Sequence, residues 1–310
     1  LIDFGERSKY PDYYHLFNLN AAWGTKGKTN LSLRYKRYKN YTLSVKLGHS
    51  VANLYPFYGF NGYQTYYNSS FEDPLSNNYI TSAFYNYKQQ KTQFDFYIQD
   101  KIIGTNFNWL AGLDLSYYEI DRVDFDRLNR NAENGDRVED QETLYDKYRV
   151  WEVIDSDEST GGWANSVRVA LLFDSRDRLT NPFKGIWSQA TLRYSPGIIN
   201  NDKSAIQLGI KHHQFISIVP ERISFAYRLR YDATFGDLPF YQKQILADGI
   251  EGYGGATGMV GEGFGTIWGV HQNRIVGKQM ALGNFEVRAK LFRLRFLNQN
   301  WSTALVPLFH

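Results

Sequence analysis

Hydrophobic and polar residues alternate one by one along most of the chain. From Tyr41 to Leu47, Tyr41, Leu43, Val45 and Leu47 interleave with Thr42, Ser44 and Lys46, a period of two that a pleated strand presents and a helix does not. The same pattern sets Leu31, Leu33 and Tyr35 against Ser32, Arg34 and Lys36. It sets Phe107, Trp109, Ala111, Leu113, Leu115 and Tyr117 against Asn108, Asp114 and Ser116. It is cleanest late in the chain, where Ile223, Phe225, Tyr227, Leu229 and Tyr231 oppose Ser224, Ala226, Arg228, Arg230 and Asp232, and where Phe285, Val287, Ala289 and Leu291 oppose Asn284, Glu286, Arg288 and Lys290.

This spacing predicts about thirteen strands and no amphipathic helix. They lie near 13–24, 29–38, 41–50, 57–67, 80–90, 92–101, 106–118, 164–175, 185–195, 204–217, 221–235, 278–292 and 300–310. Short turns fall at 39–40, 103–105, 176–184, 219–221 and 297–300, and long loops at 119–163 and 236–277. Counting strands alternately up and down puts both long loops at one end and the short turns at the other. Only 68–79 is too long for its side. Short turns at one end and long loops at the other are the asymmetry of outer-membrane barrels.

Composition narrows the choice of solvent. The 310 residues include 7 Trp, 24 Tyr and 21 Phe, and 35 basic residues against 32 acidic leave a net charge of +3. So many aromatics with so little net charge exclude a disordered chain, and no basic surplus of the kind that tracks a nucleic acid is present. The best largely apolar run, Val167–Phe173, is itself interrupted by Arg168 and falls far short of the roughly 18 residues of a spanning helix. The other spanning solution is a closed barrel, which pairs every backbone group between strands. A soluble sandwich alternates in the same way; the aromatic load, the number of strands and the lack of helices favour the barrel. Tyr13, Tyr14, Trp23, Tyr117, Tyr118, Trp187 and Tyr194 lie near strand ends, where amphipathic rings suit a headgroup layer.

Little in the sequence points to catalysis. Asp121, Asp124, Asp126, Glu133, Asp136, Glu139, Asp140, Glu142 and Asp146 could supply oxygen ligands, but their spacing is not that of a calcium loop, and Arg122, Arg127, Arg130 and Arg137 neutralise much of the acid. Gly261, Gly263 and Gly265 are not followed by Lys-Ser/Thr, so no phosphate loop is expected. His212 and His213 are adjacent and would point to opposite faces of a strand. With no cysteine in the chain, thiolate chemistry is excluded. The expectation is a protein with no metal, no cofactor and no enzyme activity.

Two stretches carry more information. FDSRDRLTNPFKG, Phe173 to Gly185, places Asp174, Arg176 and Asp177 at a strand end and turns through Pro182 and Gly185 into the next strand. Further on, Ile267 to Gly277 reads IWGVHQNRIVG, and Met280 to Leu291 reads MALGNFEVRAKL with Gly283, Asn284, Glu286 and Arg288 in one strand. Together they resemble the BamA/TamA family of outer-membrane assembly factors, also called the bacterial surface antigen family. There the first motif ends the eighth strand, and a long loop with an Arg-Gly-Phe/Tyr tip folds into the barrel between the eleventh and the twelfth.

The resemblance implies an all-β fold, a transmembrane antiparallel β-barrel with about 13 of an expected 16 strands present. The chain would form a single β-barrel domain over 1–310, incomplete at its C-terminus and lacking upstream POTRA repeats. It implies residence in the outer membrane of a Gram-negative bacterium. The implied partners are outer-membrane lipid and unfolded outer-membrane protein clients or periplasmic and lipoprotein subunits, with no nucleic acid. Insertion or export would proceed by strand templating at a lateral seam, whose candidate edge here is Phe17, Leu19, Ala21 and Trp23. The first motif would either cap strand ends or anchor the loop.

One departure stands out. In the register fixed by Gly269 and the downstream NRIVG, the loop-tip Arg is replaced by Trp268; a rival register, Ile250-Glu251-Gly252-Tyr253, puts Glu251 there. The loop would then dock by packing, borrow Arg274, or go unlocked. The alternative function is accordingly a family-derived barrel that serves as a scaffold or as a membrane anchor for a partner or fused domain.

Overall fold

The computed structural model describes residues 2–4, 15–38, 41–60, 67–133, 136–178, 182–197, 202–243, 245–247, 272–296, 299–305 and 308–309. Its strands are β1 (Ile2–Phe4), β2 (His15–Gly24), β3 (Lys28–Tyr38), β4 (Thr42–Pro56), β5 (Asn86–Lys101), β6 (Phe107–Asp121), β7 (Gly161–Asp174), β8 (Gly185–Ser195), β9 (Ala205–Val219), β10 (Ile223–Gly236), β11 (Gln279–Phe296), β12 (Gln299–Leu305) and β13 (Leu308–Phe309). They form one antiparallel sheet in which each strand from β1 to β12 pairs with its neighbours in sequence, while β13 also pairs with β11.

Two sequence expectations are corrected here. No strand covers 57–60, and residues 61–66 lie outside the described residues. The segments 80–90 and 92–101 are not two strands: β5 runs unbroken from Asn86 to Lys101. The polar run Lys88 to Gln93 looks like a break only if every outward residue must be apolar. On the outward side Gln90 donates to Glu119 at 2.6 Å and Thr92 meets His49 at 3.0 Å, so the strand simply continues past its apolar band. Inventing one strand and splitting another left the up-and-down parity of everything downstream intact. The oversized loop disappears too, because 57–85 becomes a single long connection at the same end as 122–160 and 237–278. The first motif therefore follows β7, not an eighth strand, and the long loop joins β10 to β11.

The two faces of the sheet are buried in the reverse of the soluble pattern. On β7 and β8, Val169 and Leu192 are 55% and 47% exposed, whereas Arg168 and Arg193 are 2% and 5% exposed. Ser166, Gln189, Thr191, Gln207, Ser224, Arg228 and Arg230 are buried in the same way. No second sheet is present among the described residues to cover them, so the sheet curls with its polar face inside. Of the rings expected in an interfacial belt, Trp23, Tyr117 and Tyr194 do point outward, but Tyr118 is buried on the polar face and Trp187 meets His213 there at 5.1 Å. Tyr13 and Tyr14 lie outside the described residues.

At the loop end the ordinary pattern returns. Loops 57–85, 122–160 and 237–247 pack into a cap around Phe57, Tyr145 and Phe240, all fully buried, with Tyr87 and Tyr118 rising from the strands beneath. Phe57 meets Tyr148 edge-on at 5.4 Å and Tyr87 at 5.7 Å, the geometry that ring quadrupoles favour. Among the described residues the cap also holds three short α-helices that the periodicity did not predict: α1 (Phe125–Asn129), α2 (Leu144–Val150) and α3 (Ser156–Ser159). Each is too short to show a 3.6-residue repeat. Their caps are local: Asp124 accepts from the Arg127 N–H, and Thr143 and Asp146 form a reciprocal capping box.

Candidate functional site

The Asp174–Gly185 motif is a self-closing turn. The Arg176 guanidinium donates from Nε to Asp174 Oδ1 at 2.9 Å and from Nη2 to Oδ2 at 2.7 Å, a forked pairing that lysine could not make. Asp177 Oδ1 accepts the backbone N–H groups of Phe183 at 3.0 Å and Lys184 at 3.3 Å, which ties the two arms together across Pro182. Gly185 has φ +110°, and a Cβ there would sit 2.4 Å from the Ser175 carbonyl oxygen. Asp174, Arg176, Asp177 and Gly185 thus all help to shape the turn.

The root of the long loop is held at the cap. Asn273 is fully buried and its side-chain amide donates to the Pro56 carbonyl at 3.1 Å. The Arg274 guanidinium lies over the rings of Tyr58 at 5.9 Å and Tyr67 at 5.7 Å, and Tyr85 packs against both rings. Burial is the main cause that pushes the Tyr58 phenol up to about 12, with the nearby Glu72 carboxylate second. Trp268 and Gly269 lie outside the described residues. Arg274 thus stacks on aromatic rings of the cap.

Downstream, β11 presents Asn284, Glu286 and Arg288 to the polar face. Asn284 Oδ1 accepts from Arg228 Nε at 3.1 Å; Arg288 pairs with Glu286 and lies over the Phe215 ring at 5.2 Å. Gly283 is on the apolar face, where an added Cβ would press on Phe285 at 3.3 Å. The Gly-Asn-x-Glu-x-Arg pattern is therefore an inward polar stripe interleaved with outward residues.

A belt of charge crosses the polar face from β3 to β8. Register brings Arg34, Lys46, Asp95 and Asp114 side by side on successive strands. Lys46 stands 3.9 Å from Asp95, and Asp114 meets Arg168 at 2.8 Å and Arg193 at 3.8 Å. Ser166 closes the cluster, donating to Asp114 at 3.2 Å and accepting from Arg193 at 2.6 Å. Farther round, Arg230 pairs with Asp232, whose Oδ1 accepts the Ala247 N–H of the cap at 3.1 Å.

The candidate seam needs a correction. Phe17, Leu19, Ala21 and Trp23 do face outward, but β2 is not the edge along its whole length. β1 pairs with it as Ile2↔Leu19, Asp3↔Asn18 and Phe4↔Phe17, and from Asn20 to Gly24 that side of β2 has no partner strand among the described residues. Three residues were too few to show alternation. The sequence also concealed a hub in which Lys203 reaches Asp155 at 2.6 Å, Glu158 at 2.9 Å and Asp237 at 3.9 Å, joining three loops. Its carboxylates, Asp155, Glu158 and Asp237, were not among the candidate ligands that the sequence offered. Asp140 pairs with Arg122 at 2.7 Å, while Asp124 and Asp146 cap helices.

A family profile, the Omp85 superfamily domain, matches residues 17–305. A solved structure, that of BamA from Haemophilus ducreyi lacking POTRA domains 1–3, matches with a TM-score of 0.52 at 14% identity over 89% of this chain and 48% of that one. The chain thus spans about half the length of that structure. No curated protein matches.

Proposed function

Because the chain belongs to the Omp85 superfamily, whose members are outer-membrane barrels of protein assembly and translocation, we propose that it is the membrane-embedded barrel of an assembly factor and inserts or exports other proteins by strand templating. The reversed burial supports this reading most directly: exposed Val169, Leu171 and Leu192 beside buried Arg168 and Arg193 suit lipid outside and a wet lumen inside. The loop end would then be extracellular and the turn end periplasmic. From Asn20 to Gly24, β2 has no partner strand on one side among the described residues, next to a first strand of only three residues, and this stretch would offer its backbone groups to an incoming strand. The barrel carries no chemistry of its own and works with lipid and with unfolded clients or periplasmic subunits.

Reconstitution in liposomes with a denatured barrel client tests this. The chain has no cysteine, so a cysteine pair joining β2 at Asn20 to the last strand can be oxidised selectively. Acceleration of client folding that vanishes on oxidation and returns on reduction is expected. Absence of acceleration in both states would favour the second reading, a scaffold or anchor. The aromatic seat of Arg274 favours that second reading, because it holds the long loop's root to the cap.

A further inference from the structure

The outward face of β8 to β11 is apolar except at one place. Among the described residues it carries no charged side chain, but Ser188, His212, Gln214 and Tyr227 meet on it, Ser188 opposite His212 and Gln214 opposite Tyr227 on neighbouring strands. Ile210 and Leu229 on the loop side and Ile216 on the turn side are exposed, so the four form a polar island inside the apolar band. The Tyr227 hydroxyl donates to the Gln214 side-chain carbonyl, and its oxygen lies 3.5 Å from His212 Nε2. With its one proton spent, Tyr227 can only accept from His212, so Nε2 carries the imidazole proton. His212 Nδ1 is then an acceptor, and Ser188 donates to it at 2.8 Å. The chain of donors runs one way, from Ser188 through His212 and Tyr227 to Gln214. It ends on the Gln214 amide nitrogen, whose N–H groups have no partner among the described residues.

We propose that this island holds one diacyl glycerolipid of the bilayer against the wall, with an ester carbonyl of the lipid accepting from the Gln214 amide. The inference rests on the barrel reading above, which puts this face in lipid. There an unmet donor is costly, and its acceptor must come from a lipid or from another protein. Depth favours the ester region of a lipid. Ser188 is three residues from the turn end of β8 and Tyr227 four from that of β10; at ~3.4 Å per residue and a strand tilt of ~40°, the island stands roughly 8–10 Å above the turns. A headgroup layer accounts for only ~5–7 Å of that, so the island lies just inside the hydrocarbon, level with the deepest polar atoms of a glycerolipid. Charge favours the ester over the phosphate, because no outward cation stands among the described residues of these strands to meet an anion. A second barrel fits less well, since its strand carbonyls are engaged in their own ladder. From the island the acyl chains would run toward mid-bilayer over exposed Leu192, Ile210 and Leu229.

The test uses the whole protein folded in detergent, with heat-modifiable migration confirming the barrel. Native mass spectrometry then counts what it retains of two added lipids, a diester phosphatidylcholine and its diether analogue, which keeps the phosphate and the chains but has no carbonyl. One diester lipid per barrel is expected to persist, and the diether to be retained about three- to tenfold less, the worth of one hydrogen bond. Gln214→Leu should abolish that preference, while Thr92→Val, in the outward pair of β4 and β5, should leave it unchanged. Should Gln214→Leu give no heat-modifiable barrel, Tyr227→Phe, which releases the Gln214 carbonyl, is read for a smaller loss in the same direction. Equal retention of both lipids by the unaltered barrel, or a preference that survives Gln214→Leu, would overturn the inference and leave the assembly reading standing. An anionic diether lipid held as well as the diester would overturn the ester assignment. A dimer that dissociates on Gln214→Leu would give the island to a second copy of the chain and overturn the lipid assignment. Absence of heat-modifiable migration in the unaltered protein would instead strike the barrel reading itself.

Discussion

The cap and the wall use the same residue types in opposite senses. In the cap, Phe57, Tyr145 and Phe240 are inside and most charges of loop 122–160, Glu158 excepted, are outside; in the wall, Arg168, Arg193 and Asp114 are inside and Val169, Leu171 and Leu192 outside. The cap therefore folds as a small water-soluble unit would, by removing rings from water. The wall cannot do this alone: among the described residues its polar face carries a small apolar cluster of Tyr97, Leu110, Ala170 and Leu172 with Trp187 against it, and otherwise it depends on strand pairing, on ion pairs such as Asp114–Arg168 and on whatever covers its outer side. One chain thus holds two solvent regimes, with the boundary near Tyr87 and Tyr118, where the strands leave the wall and enter the cap.

The contrast can be broken at three points. Phe57→Ala removes the ring at the centre of the cap cluster and should lower the cap's stability by ~3–5 kcal/mol, detected as rapid hydrogen exchange in loops 57–85 and 122–160 while the strands stay protected. Equal loss of protection in β7 and β8 would mean that cap and wall are one cooperative unit. Val169→Arg puts a cation on the outward face: with lipid there, barrel stability measured by reversible urea unfolding in liposomes should fall by ~2–4 kcal/mol. A change near zero would hand that face to water. Gly185→Ala forces a Cβ against the Ser175 carbonyl at a positive φ and should weaken the β7–β8 turn by ~1–3 kcal/mol, leaving the cap untouched.

How far the sequence disclosed this depends on the distance between partners. β10 and β11 were legible over much of their length because outward and inward residues alternate from Ile223 to Asp232 and the Gly-Asn-x-Glu-x-Arg stripe continues the pattern, and the Asp174–Gly185 turn because Arg176, Asp174, Asp177 and Lys184 are neighbours in the chain. The α2 capping box, Thr143 with Asp146, was equally local but was hidden in a loop of mixed charge. Long-range contacts left no trace. Asn53 clasps the backbone of Asp124 through two hydrogen bonds of 2.9 and 2.8 Å, and Lys203 gathers carboxylates from loops far from it in sequence. The break misread within β5 has the same origin: a polar run says nothing about which face will be wet until the fold shows which side is enclosed.

The smallest effect, and the one that separates the two regions without changing a core residue, is that of pH on the cap. Burial pushes the Tyr145 phenol up to about 12, as it does that of Tyr58, and burial likewise raises Tyr241. Each group holds its proton more tightly folded than unfolded, so its stabilisation is complete below about pH 10 and fades as the pH climbs from there toward the folded values. Lys203 behaves alike: burial would lower its pKa, but the hydrogen bonds it donates to Asp155 and Glu158 outweigh that and raise it, so the hub also loosens above its ordinary value near 10.5. On the acid side two groups of the hub oppose each other. The hydrogen bond from Lys203 lowers Asp155, whose contribution is present above about pH 3.8 and lost below it; burial raises Glu158, so protonating it on descent toward pH 4.5 favours the folded cap. The expected profile of protease resistance in loops 122–160 and 237–247 is therefore level from neutrality to about pH 4 and falling above about pH 10, with Lys203→Met softening the alkaline fall. A cap equally resistant at pH 11 and pH 7 would contradict the burial of these groups.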